Sequence, residues 1–265
     1  MRLFDRVIEL RVGDTDINGL DISFEIEKDE TPAPNPCHIE IYNLSASNRA
    51  ILAKAKHIPV LLKAGYKDHV GIIFQGDLIR CQHIKEGPSW KTVLASGDGA
   101  MAIQTKRIDK SYAKGTPIKT VVEDLAKQVG LPKASPISHL TELDQLLSRG
   151  FMVSGNAMAE LTRLLSSKNI QASIQNRSLQ FRRFNEPIQK EAVLLSAASG
   201  LIDSPEVGSK KELNVRALLM PELLPGRQVM IQSVAFNGFA VIKKVRFIGS
   251  NFSNEWEAEM VCKAS

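Results

Sequence analysis

A chain of 265 residues, 43% hydrophobic and 24% charged, has the composition of an ordinary soluble globular protein and room for one large domain or two to three small ones. No apolar run reaches the ~18 residues of a membrane-spanning helix, the opening MRLFDRVIELRVGD lacks the apolar core of a signal peptide, and Cys37, Cys81 and Cys262 are too few and too scattered for a disulfide framework. Cytoplasmic synthesis with reduced, mostly buried thiols is expected. The net charge of +5 is uneven: residues 1–100 hold 12 Lys/Arg against 14 Asp/Glu, residues 101–190 hold 14 against 7, and residues 191–265 hold 8 against 8. The basic surplus sits in the middle, which marks a domain boundary and argues against the flanks as nucleic-acid platforms.

Residues 2–12 alternate loosely and read as a strand, closed by turn residues Gly13–Asp16 and Asn18-Gly19. Leu20, Ile22, Phe24 and Ile26 alternate with charged or polar neighbours, the cleanest period-2 run in the chain. Three prolines make a loop of 31–36, and Cys37, Ile39 and Ile41 begin the next strand. Ser45 is placed to cap a short helix over 46–56. Val60–Ala64 and Ile72–Ile84 read as a hairpin with a bulge expected at Gly76, and Trp90–Ala95 as a further strand.

Residues 97–115 carry no clear period. Thr116-Pro117 then predicts a helix start, a capping hydroxyl followed by Pro at the first helical position, with Val121, Val122, Leu125 and Val129 on one stripe and Gly130 ending it. Residues 132–150 read as an ordered loop. A second helix runs from Ser154 or Asn156 to Lys168. A hairpin over Ile170–Phe184 turns at Asn176-Arg177. The middle is thus a small α/β unit between two β parts.

Residues 194–212 read as a loop feeding a strand at 213–218, which Pro221 and Pro225-Gly226 end. The last part then repeats the first. VLLKAG at Val60 with GIIFQGDL at Gly71 is matched by VMIQSV at Val229 with GFAVIKKV at Gly238. A Trp-led strand follows each, WKTVLAS from Trp90 and WEAEMVC from Trp256, 30 and 27 residues after the first strand begins.

Candidate chemistry is thin. Adjacent strand residues point to opposite faces, so Cys37 and His38 do not converge on a metal; Cys81 and His83 share a face but lack a second pair. Glu123-Asp124 and Glu142 with Asp144 are the carboxylates a glycan hydrolase would need, yet Lys119 and Lys127 are spaced to pair with the helical acids. Ser96–Gly99 and Ser154–Asn156 read as turns or caps. Two basic clusters, Lys106/Arg107/Lys110/Lys114 and Arg177/Arg182/Arg183, suit DNA or an acidic surface, but only Tyr112, Phe181 and Phe184 interleave with them; a solvated face or an acidic protein neighbour is the plainer reading. No catalytic, cofactor-binding or metal site is assigned, no cofactor is expected, and the chain does not read as an enzyme.

Two blocks carry a family resemblance. SGLIDSPE with NVRALLMPELLPGR, and HIEIYNLSASNRAIL with VLLKAGY and IFQGDL, resemble the C- and N-terminal parts of phage tail baseplate hub proteins, over roughly residues 20–100 and 190–262. The resemblance implies a mainly β fold with an α+β insert: two small antiparallel, tail-tube-like β-barrels at 1–105 and 191–265 flanking a basic α/β domain at 106–190. It implies a virion structural protein, assembled in the host cytoplasm: a homotrimer ring that adapts the sixfold tail tube to the threefold spike and encloses the DNA channel. Partners would be the tail tube protein, the spike and other baseplate proteins, with DNA only passing through and the basic segment facing outward. The alternatives are a nucleic-acid-binding barrel protein and a tail-associated cell-wall hydrolase using Glu123 and Glu142.

Overall fold

The computed structural model describes residues 5–134, 137–189, 191–208 and 212–264. The expected strand start at 2–4, and Pro136 of the middle loop, lie outside them. The first segment contributes β1 (Arg6–Val12), β2 (Thr15–Ile17), β3 (Ile22–Lys28), β4 (Asn35–Tyr42), α1 (Ala46–Lys54), β5 (Pro59–Tyr66), β6 (His69–Glu86) and β7 (Ser89–Asp98). Burial alternates strictly along β3 and β4, as the apolar spacing requires. Ser45 caps α1 by accepting from the Asn48 N–H at 3.2 Å. Gly76 is not a bulge. Pairing skips Ile73 opposite β5 and Ile79 opposite β7, and Gly76 is instead a close approach, where a Cβ would lie 2.7 Å from the Gly97 carbonyl oxygen.

The insert contains α2 (Ala100–Thr105), β8 (Arg107–Tyr112), α3 (Ile118–Val129), β9 (Phe151–Asn156), α4 (Ala157–Ser166), β10 (Ile170–Gln175) and β11 (Ser178–Arg183), with short 3₁₀ turns at 137–139 and 141–144. Pro117, rather than Thr116, occupies the cap of α3; the Thr116 hydroxyl donates back to the Ala113 carbonyl. Gly130 ends α3 at φ +78°, where its missing Cβ makes the left-handed cap cheap. Asn156 caps α4 through the Ala159 N–H. The patternless 97–115 stretch hides α2 and the strand β8, which pairs with β9.

The last segment holds β12 (Ala192–Ser196), β13 (Glu206–Val207), β14 (Glu212–Leu218), β15 (Gln228–Gln232), β16 (Asn237–Ser250) and β17 (Trp256–Ala264). The expected loop at 194–212 therefore contains two strands. β12 runs parallel to β15, and β13 borders β14.

The fold is mainly β with an α+β insert, but the halves do not close into separate barrels. Thirteen strands among the described residues form one sheet, in the order β13-β14-β17-β16-β3-β4-β7-β6-β5-β1-β2, with β15 and then β12 branching from β16. The seam is the antiparallel ladder of β3 with the second half of β16, from Val245↔Lys28 to Ser250↔Ser23. One hydrophobic cluster accordingly spans Leu10–Leu94 and Leu195–Cys262. The physical reason is an edge: β16 outruns β15, its Val245 and Phe247 are apolar, and β3 supplies both the missing hydrogen bonds and the cover. The insert keeps its own cluster, from Ala102 to Phe181.

Candidate functional site: two matched edges and the seam of the insert

The repeated hairpins and Trp-led strands are equivalent in register. β5-β6-β7 and β15-β16-β17 are both antiparallel meanders. Counting from Trp90 and Trp256, the ladder slips at the same place: Leu78/Arg80 pass opposite Ser96/Ala95, and Ile242/Lys244 opposite Cys262/Val261. The next strands out keep step. Cys37 faces Ser96 as Leu213 faces Cys262, and Tyr42 faces Lys91 as Leu218 faces Glu257. The entry into each meander matches too. His57 N–H donates to Leu78 O and Leu78 N–H to Ile58 O; Gly226 N–H donates to Ile242 O and Ile242 N–H to Arg227 O. Both entry residues are left-handed, His57 at φ +57° and Gly226 at φ +84°, a conformation that costs glycine little.

At the β3–β16 seam the contacts are dense. Trp256 is buried and packs edge-on against Phe24 and Tyr66, centroids 6.0 and 6.3 Å away, with the Arg6 guanidinium 5.4 Å from its ring. Gly249 leaves room for the Phe24 ring, which a Cβ would meet at 2.3 Å. Acid on β3 meets base on β16: Glu25 with Arg246 at 2.8 Å and Glu27 with Lys244 at 2.6 Å. The hydrogen bond from Arg246 holds the Glu25 carboxyl below its ordinary range. The two stretches that carry the family resemblance also touch. His69 bonds Glu222, and a Cβ on Gly71 would lie 2.6 Å from Pro221.

The second basic cluster is not a solvent face. Arg182 is buried and grips buried Glu30 through both carboxylate oxygens. Arg177 reaches Asp77 at 2.6 Å. It sits at φ +58°, after Asn176 at φ +51°, uncommon for an arginine, and Asp98 accepts both turn N–H groups at 2.5 and 2.7 Å. Beneath this turn Lys28 is fully buried, donating to Asn176 Oδ1 at 2.5 Å, 3.9 Å from Asp98 and 5.8 Å from the Phe74 ring centre. Burial pulls the Lys28 pKa down; it pushes that of Asp98 up, against the pull of Lys28 and the two N–H donors. The charge imbalance between first segment and insert is thus partly spent internally: the β10–β11 hairpin is riveted into acidic sockets on the sheet. Arg183 closes on Glu142 at 2.5 and 3.0 Å.

The other sequence candidates do not converge. Cys37 is buried, with its thiol pushed well up by burial, while His38 is exposed on the opposite face. Cys81 Sγ lies 3.7 Å from His83 Nε2, which also meets the Arg49 carbonyl at 3.0 Å. Among the described residues no group of three or more metal-ligating side chains occurs, and no helix is long and apolar enough to cross a membrane. Asp124 turns to Lys110 and Tyr112. Its carboxyl and that of Glu142 are held below the ordinary range by hydrogen bonds from Lys110 and Arg183, the reverse of what a general acid needs. Burial beside Asp124 pushes the Tyr112 hydroxyl up to about 12. Phe181 is core and Phe184 exposed, so the aromatics do not form a stacking platform.

Similar solved structures cover nearly the whole chain. A 43 kDa tail protein of prophage MuSo2 from Shewanella oneidensis aligns at TM-score 0.69 and 8% identity, over 97% of this chain and 96% of that one. A tail protein from Neisseria meningitidis aligns at 0.68 and 13%, over 99% and 97%. An E. coli component of the type VI secretion system, described as structurally similar to T4 tail proteins gp27 and gp5, aligns at 0.63 and 11%, over 97% and 76%. At these identities the likeness speaks for the fold. No curated protein matches the sequence. The family model for baseplate hub gp41 matches residues 6–259, both β parts and the insert between them, and the chain therefore belongs to that phage baseplate hub family.

Proposed function

We propose that this hub works as a homotrimer ring which adapts the sixfold tail tube to the threefold spike and encloses the DNA channel of the virion. The observation that carries this reading is the in-register repeat. Two matched meanders per chain, in three copies, present six near-equivalent edges with only threefold chemical identity. On this reading the chain works as three units: β modules at 1–105 and 191–265, joined by the β3–β16 ladder, and a basic insert at 106–190. It acts as a structural part rather than an enzyme, synthesised in the host cytoplasm, with the tube, spike and other baseplate proteins as neighbours and DNA only in transit. The exposed remainder of the basic surplus, Lys106, Arg107 and Lys114, suits an acidic protein neighbour outside the channel, where it does not retard the genome.

Native mass measurement with negative-stain imaging tests this. The expected result is a particle of three times the 29.2 kDa chain, with a central hole and affinity for tube and spike. A strict monomer at high concentration that binds neither overturns the reading.

A further inference from the structure

The two meanders differ at one place. On β16 the edge beyond the bulge, which begins at Lys244, carries β3 from Val245 to Ser250. On β6 the same stretch by register, Arg80–Glu86, pairs with β7 on one side and with no described strand on the other. Exposure follows this difference. Six of the seven β6 residues are more exposed than their β16 counterparts, and the seventh, Arg80, matches Lys244. Ile79 and Ile84 stand in the open at 49% and 41% exposure.

The strand that would fill this edge is also present and also bare. β13 is the counterpart of β3: Val207 faces Leu213 on β14 as Ile26 faces Cys37 on β4. Its outer side pairs with no described strand, and Val207 is 61% exposed, whereas Ile26 is buried. Charge repeats in part. β16 brings Arg246 and Lys244 to Glu25 and Glu27 on β3; at the matched positions β6 carries Gln82 and Arg80, and the β13 stretch carries Glu206 and Gly208.

We propose that the Arg80–Glu86 edge of β6 accepts the β13 edge of a second copy of this chain, adding it as an antiparallel strand with His83 opposite Val207 and Ile84 opposite Glu206. The register is carried over residue by residue from Phe247↔Ile26 and Ile248↔Glu25. Backbone hydrogen bonds across a sheet edge supply the affinity, and the alternate side chains set the register. The contact is heterologous, so copies link head to tail and the chain of contacts closes after a fixed number. This inference rests on the ring reading above and deepens it: three internal β3–β16 joints and three β13–β6 joints between copies make one continuous collar.

The test is crosslinking by register in a Cys81→Ser background. His83→Cys and Val207→Cys variants, mixed and oxidised, are expected to give linked dimers, and the double variant closed covalent trimers; neither single variant alone gives either. A gain-of-contact variant needs no loss of folding. Gln82 stands where Arg246 stands, and Glu206 where Glu25 stands, so Gln82→Arg should restore the missing ion pair and tighten association by up to about fivefold per joint. A trimer by mass whose copies do not link through 83 and 207, and that Gln82→Arg leaves unchanged, overturns the joint and leaves the ring standing. A chain that stays monomeric at the highest soluble concentration, with or without Gln82→Arg, overturns both.

Discussion

Trp90 and Trp256 begin the same strand of the same meander, yet Trp256 is buried among Phe24, Tyr66 and Arg6 while Trp90 is half-buried under the Arg49 guanidinium, 4.4 Å from its ring centre. The backbone around them is equivalent; the neighbour is not. Where β3 lies alongside, β16 carries Phe247 and Gly249; where no described strand lies alongside, β6 carries His83 and Lys85 at the same positions. A sheet edge expecting a permanent partner within the chain is apolar and shaped. An edge left open in the single chain is charged and half-polar, which keeps it soluble until met.

The comparison can be broken most sharply at Phe24. Phe24→Ala removes the ring that fills Gly249 and flanks Trp256, and should cost about 3–5 kcal/mol in chemical denaturation. The matched change in the other copy, Pro205→Ala, trims a smaller buried side chain and should cost no more than about 1 kcal/mol. An equal loss from both would erase the distinction between a filled and an open edge.

Cutting the insert from the first copy comes next. Arg182→Ala strands buried Glu30 without its partner and should cost about 3–5 kcal/mol, with hydrogen exchange rising first in the β10–β11 hairpin. Gly249→Ala pushes a methyl into the Phe24 ring and should cost about 1–3 kcal/mol, whereas Lys85→Ala at the matched position should be near neutral. Similar midpoints for these two would show that the seam is looser than its contacts imply.

A smaller effect is set by pH. Glu25 at the filled edge has its folded pKa depressed by Arg246. Its contribution is present above the unfolded carboxylate value, about 4.3, and is lost as pH falls through the lower folded value. Glu25→Gln should therefore lower the melting temperature at neutral pH and converge with the parent chain below that range. A gap that persists in strong acid would assign the effect to packing instead. The smallest signal is optical: of the two tryptophans, only Trp90 has room to change, so Trp90→Phe should abolish most of any emission shift on assembly.

Much of this was legible in the residues. The period-2 runs of β3, β4, β7 and β17 and the apolar stripes of α3 and α4 follow from burial on one face, and the hairpin repeat survives in VLLKAG and VMIQSV. β12 and β13 escaped because five and two residues are too short to show a period. The β3–β16 seam escaped because no local signal marks a pairing between strands more than two hundred residues apart. The insert's rivets were misread for a different reason: Arg177 and Arg182 look like surface bases in isolation. Parity held the missed clue. Lys28 falls in the inward series Ile22, Phe24, Ile26, so extending the strand by one step puts a charge in the core, and a buried charge requires partners from elsewhere.

That seam also governs how the protein is born. β3 is complete within the first thirty residues, while β16 ends at Ser250 and Arg6 seeks carbonyls at Ser253 and Asn254. A nascent chain must therefore hold the β3 edge uncovered until β16 has been made, since non-local pairing waits for both strands. Emergence of β16, rather than completion of the first module, sets the moment when this edge is covered. Early termination upstream of β16 would yield a sticky fragment instead of a smaller hub.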